Sequence, residues 1–444
     1  MSSLDIHEIG EVIRKVRKER GLRLEDLADQ NISPATISNI ERGVPHVNPQ
    51  RATYLLKKLD IQLDELPNLM IAEQQELQNV KFDLFAIETM RDTGNAKEAL
   101  QELKKLDLDD HHPCAATAQY LTGKCLNSLG DYSKAQRALF NAIRLTNQNA
   151  YGNQSNIEAA SFTELGLNSY YQNDMEQALA YTESGIDAFV EDGERLHFKY
   201  VLLRNKIVYL ERLGRIGEAL KVVEDHWESI TKIQHMNVVL AFYCWRAELL
   251  HRTKQFDNAI KYSLEGLEKA RLDYKYNSMF RLWVILASIY MTKNDLAKAE
   301  QCFQLALSLK NKPVVEKEFT DAYTRLGVLY IKQKRWAESR EAINNAVSLS
   351  KRLNDIPRLA NALITQGDYY RVREEKQEAI PHYQEALKLA QQHKLPYKES
   401  VVLLRLAQCW ENTNKKEFQQ CLHNMYKVKF ILQYKEVDYL DELL

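Results

Sequence analysis

Small residues recur through this chain at a fixed interval, and that recurrence restricts its possible folds more than any other feature. One series runs Gly123, Gly166, Ile207, Ala247, Ala287, Gly327, Gly367 and Ala407, and from Ile207 onward every step is forty residues. Twelve residues after each member comes a second series: Ala135, Ala178, Ala219, Ala259, Ala299, Ser339 and Ala379. Seven residues further on, Ala142, Gly185, Gly266, Ala306, Ala346 and Ala386 complete the pattern, with His226 breaking it in the 219 unit. Antiparallel helices approach closely only where side chains are small. Short polar turns such as Leu129-Gly130-Asp131, Gln172-Asn173-Asp174, Leu213-Gly214-Arg215 and Lys293-Asn294-Asp295 lie between the two sites. Each unit is therefore expected to be helix–turn–helix, burying its apolar face only against its neighbours. Composition agrees: glycine (15) and proline (9) are too few in 444 residues for a turn-rich all-β fold.

Large residues flank the small ones, as Tyr330 and Tyr370 do in the first helices and Phe303 and Tyr383 in the second. The runs Leu326-Gly327…Tyr330…Ser339…Ala346 and Gly367…Tyr370…Ala379…Tyr383…Ala386 resemble the tetratricopeptide repeat, with a period of forty in place of thirty-four. Eight units fit between about 113 and 430, and a degenerate ninth fits around Ala99-Leu100. The resemblance implies an all-α chain whose residues 81–444 form a right-handed superhelix of about nine helix pairs.

Residues 1–66 have a different character. Ile6, Ile9, Val12, Ile13 and Val16 make one helix face that ends at Gly21, and Leu24, Leu27 and Ala28 form a short second helix. Ser33 can N-cap a third helix with Pro34 in its first turn, and Gly43 stops it. A fourth follows over Pro49–Leu59. The Leu27-Ala28 pair, the run Thr36-Ile37-Ser38-Asn39-Ile40-Glu41-Arg42-Gly43 and the closing Leu63-Asp64-Glu65-Leu66 resemble the lambda-repressor/Cro (xenobiotic-response-element, XRE) helix-turn-helix family. That resemblance implies a third helix in the major groove of a double-stranded DNA operator. Ser33, Ala35, Thr36 and Asn39 would then face base edges, with Arg23 and Arg42 on phosphates. For Glu41 and Arg42 an intradomain ion pair is the competing reading. Residues 1–58 hold ten Lys/Arg against eight Asp/Glu. So small an excess suits a dimer engaging two half-sites better than one head acting alone. Residues 67–80, rich in Glu and Gln, are expected to be a linker helix.

A repressor-type head on a long tetratricopeptide array resembles the peptide-pheromone (quorum-sensing) regulators of Gram-positive bacteria. This is the Rap/Rgg/NprR/PlcR/PrgX group, and the layout is most like NprR. The resemblance implies a cytoplasmic, dimeric or higher-order transcriptional regulator whose array binds a short signalling peptide that alters oligomeric geometry and DNA affinity. In such arrays the first helix of each unit lines the groove. The matching positions here are Tyr120, Lys124, Asn127, Arg204, Glu211, Glu248, His251, Arg281, Thr324, Asn361, Asp368, Arg371 and Gln408. Asn can hold both edges of an extended backbone, and Arg can fork onto a carboxylate. Two alternatives stand beside this reading: a Rap-like protein that promotes dephosphorylation of a response regulator, with Gln74, Gln75 and Gln78 nearby, and a peptide-independent regulator that recruits a protein partner.

Other chemistry finds little footing. The net charge of −1 excludes a chain that coats nucleic acid or an anionic membrane with its whole surface. No uncharged apolar run reaches the length of a membrane span, and the N-terminus lacks a signal-peptide core. The six cysteines are scattered and suit a reducing compartment. No phosphate loop, HExxH or nucleophile elbow is present, so neither catalysis nor a cofactor is expected. Asp107, Asp109, Asp110, His111, His112 and Cys114 cluster without the repeated spacing of metal ligands and read as a solvated turn. Phe242, Tyr243, Trp245 and Trp283 read as core packing.

Overall fold

The structure, a computed structural model, describes residues 6–44, 48–62, 65–110, 112–148, 152–231, 233, 236–393 and 395–434. Among these residues every named element is helical, as the repeat requires. The chain divides into two compact units, Met1–Arg215 and Ile216–Leu444.

The first unit opens with four helices: α1 (Ile6–Glu19), α2 (Leu24–Leu27), α3 (Pro34–Glu41) and α4 (Pro49–Lys58). Val12, Ile13, Leu27, Ile37, Ile40, Leu55 and Leu56 form their shared core. Glycine at position 10 fixes how α1 crosses α3: a Cβ there would lie 2.1 Å from the Ile40 carbonyl oxygen. The Ser33 side chain caps α3 by accepting from the Thr36 amide at 3.2 Å, and Pro34 occupies its first turn. Between α2 and α3 the backbones of Asp29 and Ile32 bond each other, at 3.0 and 3.3 Å. The Asp29 carboxylate receives Lys58, the Tyr54 hydroxyl and the Asn31 amide, which together hold it well below the usual carboxylate range. The competing reading of Glu41 holds with a different partner. Glu41 pairs with Arg17, not Arg42, in a buried two-bond fork at 2.6 and 2.8 Å. The reason is direction: Glu41 lies on the α3 face that packs on α1, whereas Arg42, one residue on, is exposed. Of the closing tetrad, Leu63 and Asp64 lie outside the described residues.

One helix, α5 (Leu66–Asp92), leaves the head and continues as the first helix of the array. It is followed by α6 (Ala96–Leu106), α7 (Ala115–Ser128), α8 (Tyr132–Gln148), α9 (Ile157–Tyr171), α10 (Met175–Asp187) and α11 (Phe198–Arg212). The second unit contains α12 (Ile216–Asp225), α13 (Trp227–Thr231), α14 (Met236–Arg252), α15 (Phe256–Leu272), α16 (Tyr276–Thr292) and α17 (Leu296–Leu307). It ends with α18 (Glu318–Lys332), α19 (Trp336–Arg352), α20 (Ile356–Val372), α21 (Lys376–Gln392), α22 (Pro396–Trp410) and α23 (Lys415–Tyr434).

The small residues sit where helices of a pair touch. A Cβ on Gly123 would lie 2.5 Å from Leu139 Cγ, and one on Gly367 would lie 2.4 Å from the Tyr383 ring. Ser339, where most units have Ala, spends its buried hydroxyl on the Gly327 carbonyl of the partner helix at 3.0 Å. The turns repeat as strictly as the crossings: Gly214, Lys254, Asn294, Lys334 and Glu374, forty residues apart, all adopt left-handed backbone conformation. His226, which breaks the small-residue series, falls between α12 and α13, where the second helix of that unit is interrupted.

Candidate DNA-reading face and groove

The proposed reading face is built by the cap that starts α3. Ser33 turns back onto the Thr36 amide, its carbonyl accepts from the Ile37 amide at 3.0 Å, and Pro34 carries no N–H, so the first turn of α3 is largely satisfied from within. Ala35 and Asn39 are exposed and Thr36 is half-buried, its hydroxyl 2.9 Å from that of Ser33. Ile37 and Ile40 point the opposite way, into the head core. Arg23 is exposed at the start of α2, its backbone N–H donating to the Asp26 carboxylate at 2.7 Å. Arg42 lies at the far end of α3, and its guanidinium donates to the Gln148 carbonyl in α8 at 3.0 Å. Lys18 of α1 pairs with Asp109 at 2.8 Å, and Lys15 with Glu76 of α5. Basic groups of the head are thus tied to the array inside one compact unit. The acidic loop at 107–114 has the same kind of partners: Arg144 pairs with Asp110, and the His112 Nδ1 accepts from the Cys114 amide. His111 lies outside the described residues.

In the first unit, the groove candidates enter a polar network. Tyr120 is fully buried, its ring edge-on to Phe198 and flanked by Lys124 and Arg195, each 5.9 Å from the ring centre. Lys124 bridges Glu88 at 2.8 Å and Asp92 at 3.1 Å, and Arg195 reaches Glu88 at 3.1 Å. Burial pushes the Glu88 carboxyl up, but these two cations outweigh it and hold Glu88 below the usual range. Asn127 donates to the backbone carbonyl and carboxylate of Glu164, at 2.9 and 3.1 Å, and accepts from Asn168 at 2.9 Å. Its amide is therefore engaged at both ends within the protein. Glu164 is buried, and its carboxyl is pushed up by desolvation against the opposing pull of Arg91. Beside it opens a cleft of about 360 Å³, lined by Arg91, Asn127, Gly130, Tyr132, Glu164 and Tyr171. The Tyr132 and Tyr171 rings stack at 6.2 Å, and the buried Arg91 Nε has no hydrogen-bond partner. Arg204 is exposed and donates to Asn205, and Glu211 is half-buried.

The second unit brings its candidates together in two groups. On α14, α16 and α18, His251 bonds the Thr292 hydroxyl at 2.9 Å, Arg281 lies over the Trp245 ring at 5.7 Å, and Arg325 donates to Ser288 at 2.6 Å. Glu248 and Thr324 are half-buried on the same first helices. Across α20, α21 and α22, Asp368 gathers Arg371 at 3.1 Å, Arg405 at 2.9 Å and the Tyr383 hydroxyl at 2.8 Å. Asn361 accepts from Lys398, and Gln408 from Arg405 at 3.2 Å. Phe242 and Tyr243 are core residues, while Trp245 stays half-exposed under Arg281.

Sequence reasoning passed over Glu88, Arg91, Glu164, Asn168, Arg325 and Arg405. The repeat could have pointed to Asn168, which lies forty-one residues after Asn127. No periodic signal marks Glu88 or Arg195, because the contact between them spans 107 residues of chain.

Together these features define a helix-turn-helix head carried on a tetratricopeptide array. The helix-turn-helix family profile matches residues 13–66, and tetratricopeptide profiles match 280–313 and 318–392. No curated protein sequence matches the chain. Among solved structures, a Rap protein complexed with competence and sporulation factor is similar at 12% identity and TM-score 0.56, covering 80% of this chain and 99% of that one. The apo form of the quorum sensor NprR from B. thuringiensis is similar at 12% identity and TM-score 0.53, covering 84% and 99%. The Rap conjugation gene regulator of plasmid pLS20, in complex with the Phr* peptide, is similar at 13% identity and TM-score 0.52, covering 81% and 97%. At these identities the likeness is one of fold, and it does not separate an NprR-type from a Rap-type chain.

Proposed function

We propose that this protein is a non-enzymatic transcriptional regulator: its head binds an operator as a dimer or higher oligomer, and its array binds a short signalling peptide that changes its affinity for DNA. One observation carries the reading. The capped α3, with Ala35 in its first turn and Asn39 one turn further on both exposed, belongs to the same chain as a long array of paired helices with polar first-helix faces. The fold neighbours support the peptide part, since one is complexed with competence and sporulation factor and another with the Phr* peptide.

The mechanism follows from the head–array contacts. Arg42 and Lys18, which phosphates would attract, are held by Gln148 and Asp109. A peptide that shifts α7 and α8 changes how freely those cations meet DNA. Selection of operator sequences by the full chain, followed by anisotropy titrations with and without short peptides, tests this. Sequence-selective binding that a peptide alters at least fivefold is expected; binding without sequence preference contradicts the reading.

A further inference from the structure

The helix α5 carries apolar residues on two sides, and among the described residues only one of these is covered. Leu66, Met70, Leu84 and Ile87 are buried against the head and the first repeats. On another face Ile71 is 60% exposed, Phe82 70% and Phe85 69%. With Gln75, Gln78 and Thr89, all exposed, these residues fall at steps of four and three along the helix. That alternation keeps a stripe facing one partner helix, as in two-stranded coiled coils.

We propose that this stripe is a homodimer seam, in which α5 of one copy packs parallel and in register against α5 of a second copy. Three observations favour a second copy. First, the seam residues Ile71, Gln75, Gln78, Phe82, Phe85 and Thr89 are all uncharged, so self-pairing sets no like charges together. In that register the flanking pairs are Gln74 with Asn79 and Lys81 with Ala86 of the partner copy, again without like charges. Second, at roughly 140 Å² for each phenylalanine, the stripe offers the apolar centre of a standard-sized interface, which a polar rim completes. Third, α5 begins where the head ends, so a parallel pair sets two heads side by side. The choice of a parallel register rests on the DNA-binding reading above; the seam itself rests on the helix.

Light scattering of the full chain without DNA tests the seam. The wild-type protein is expected to be dimeric at micromolar concentration, and the Phe82→Glu/Phe85→Glu double variant monomeric. Gln75→Lys/Gln78→Lys, which alters only exposed polar positions, should also dissociate it with unchanged helicity. A monomeric wild type, or a dimer that survives the lysine pair, overturns the proposal. Gln78→Cys reports the register, because the six native cysteines are buried. A disulfide-linked dimer on mild oxidation supports parallel pairing, and its absence in a chain that remains dimeric overturns it. None of these readouts involves DNA or peptide. Failure of the regulatory reading would therefore show separately, as a dimer that binds no operator.

Discussion

Glycine at position 10 acts on the proposed reading helix through packing alone. Its missing side chain lets α1 lie against the Ile40 carbonyl, and so sets the angle at which α3 is presented. In Gly10→Ala the added methyl would meet backbone, which cannot rotate away, so α1 must move. The expected outcome is a loss of about 1–3 kcal/mol in head stability with the array still helical, read by circular dichroism together with operator binding. Turn residues make the opposite case. Glu374 follows α20 in left-handed conformation, with a negative charge at the negative end of the helix dipole. Glu374→Gly should therefore stabilise the chain by about 1 kcal/mol, seen as a higher thermal midpoint. Glu88 shows what the buried charges do. Its lowered pKa means that the native state favours the ionised form, so its contribution is present above the ordinary Glu range and is lost as pH falls through the folded value. Glu88→Gln should cost roughly 1–3 kcal/mol at neutral pH, since Arg195 loses its carboxylate partner and Lys124 keeps only Asp92. The difference from wild type should shrink in acid, and a constant difference would rule this out.

Helix by helix, most of the architecture was legible before the structure. The crossings announced themselves because packing two helices at one spot repeatedly selects the same small residue. Gly123 against Leu139 and Gly367 against Tyr383 are the physical content of that pattern. The capped α3 was legible for a similar reason: Ser33 and Pro34 act locally, within one turn. Contacts far apart in sequence were not. Arg17 choosing Glu41, Lys124 choosing Glu88 and Arg42 reaching Gln148 each depend on tertiary placement, which no spacing encodes. The groove candidates suffered most from this. Asn127 has the residue type and position expected of a peptide clamp, yet Glu164 and Asn168 occupy its amide. At the reading face, Asn39→Ala should weaken operator binding by about 1–3 kcal/mol and relax base preference at one position. Ser33→Ala differs, since it also removes the cap and should lower head stability by about 1 kcal/mol. Melting curves and anisotropy on the two variants separate these effects.

Across the whole molecule, the head and the first repeats share one compact unit, and the later repeats form another. A regulator built this way couples ligand to DNA only if the array can bias the head. The ties Lys18–Asp109 and Arg42–Gln148 are where that bias can act. A peptide gains influence over DNA affinity only through its differential affinity for the tied and released states, and the coupling is reciprocal. The most direct test is a single anisotropy titration of a selected operator by the full-length protein, repeated with a saturating short peptide obtained by binding selection. Operator affinity is expected to change by at least fivefold, and operator DNA to shift peptide affinity by the same factor. Identical operator affinity with and without bound peptide would contradict this coupling.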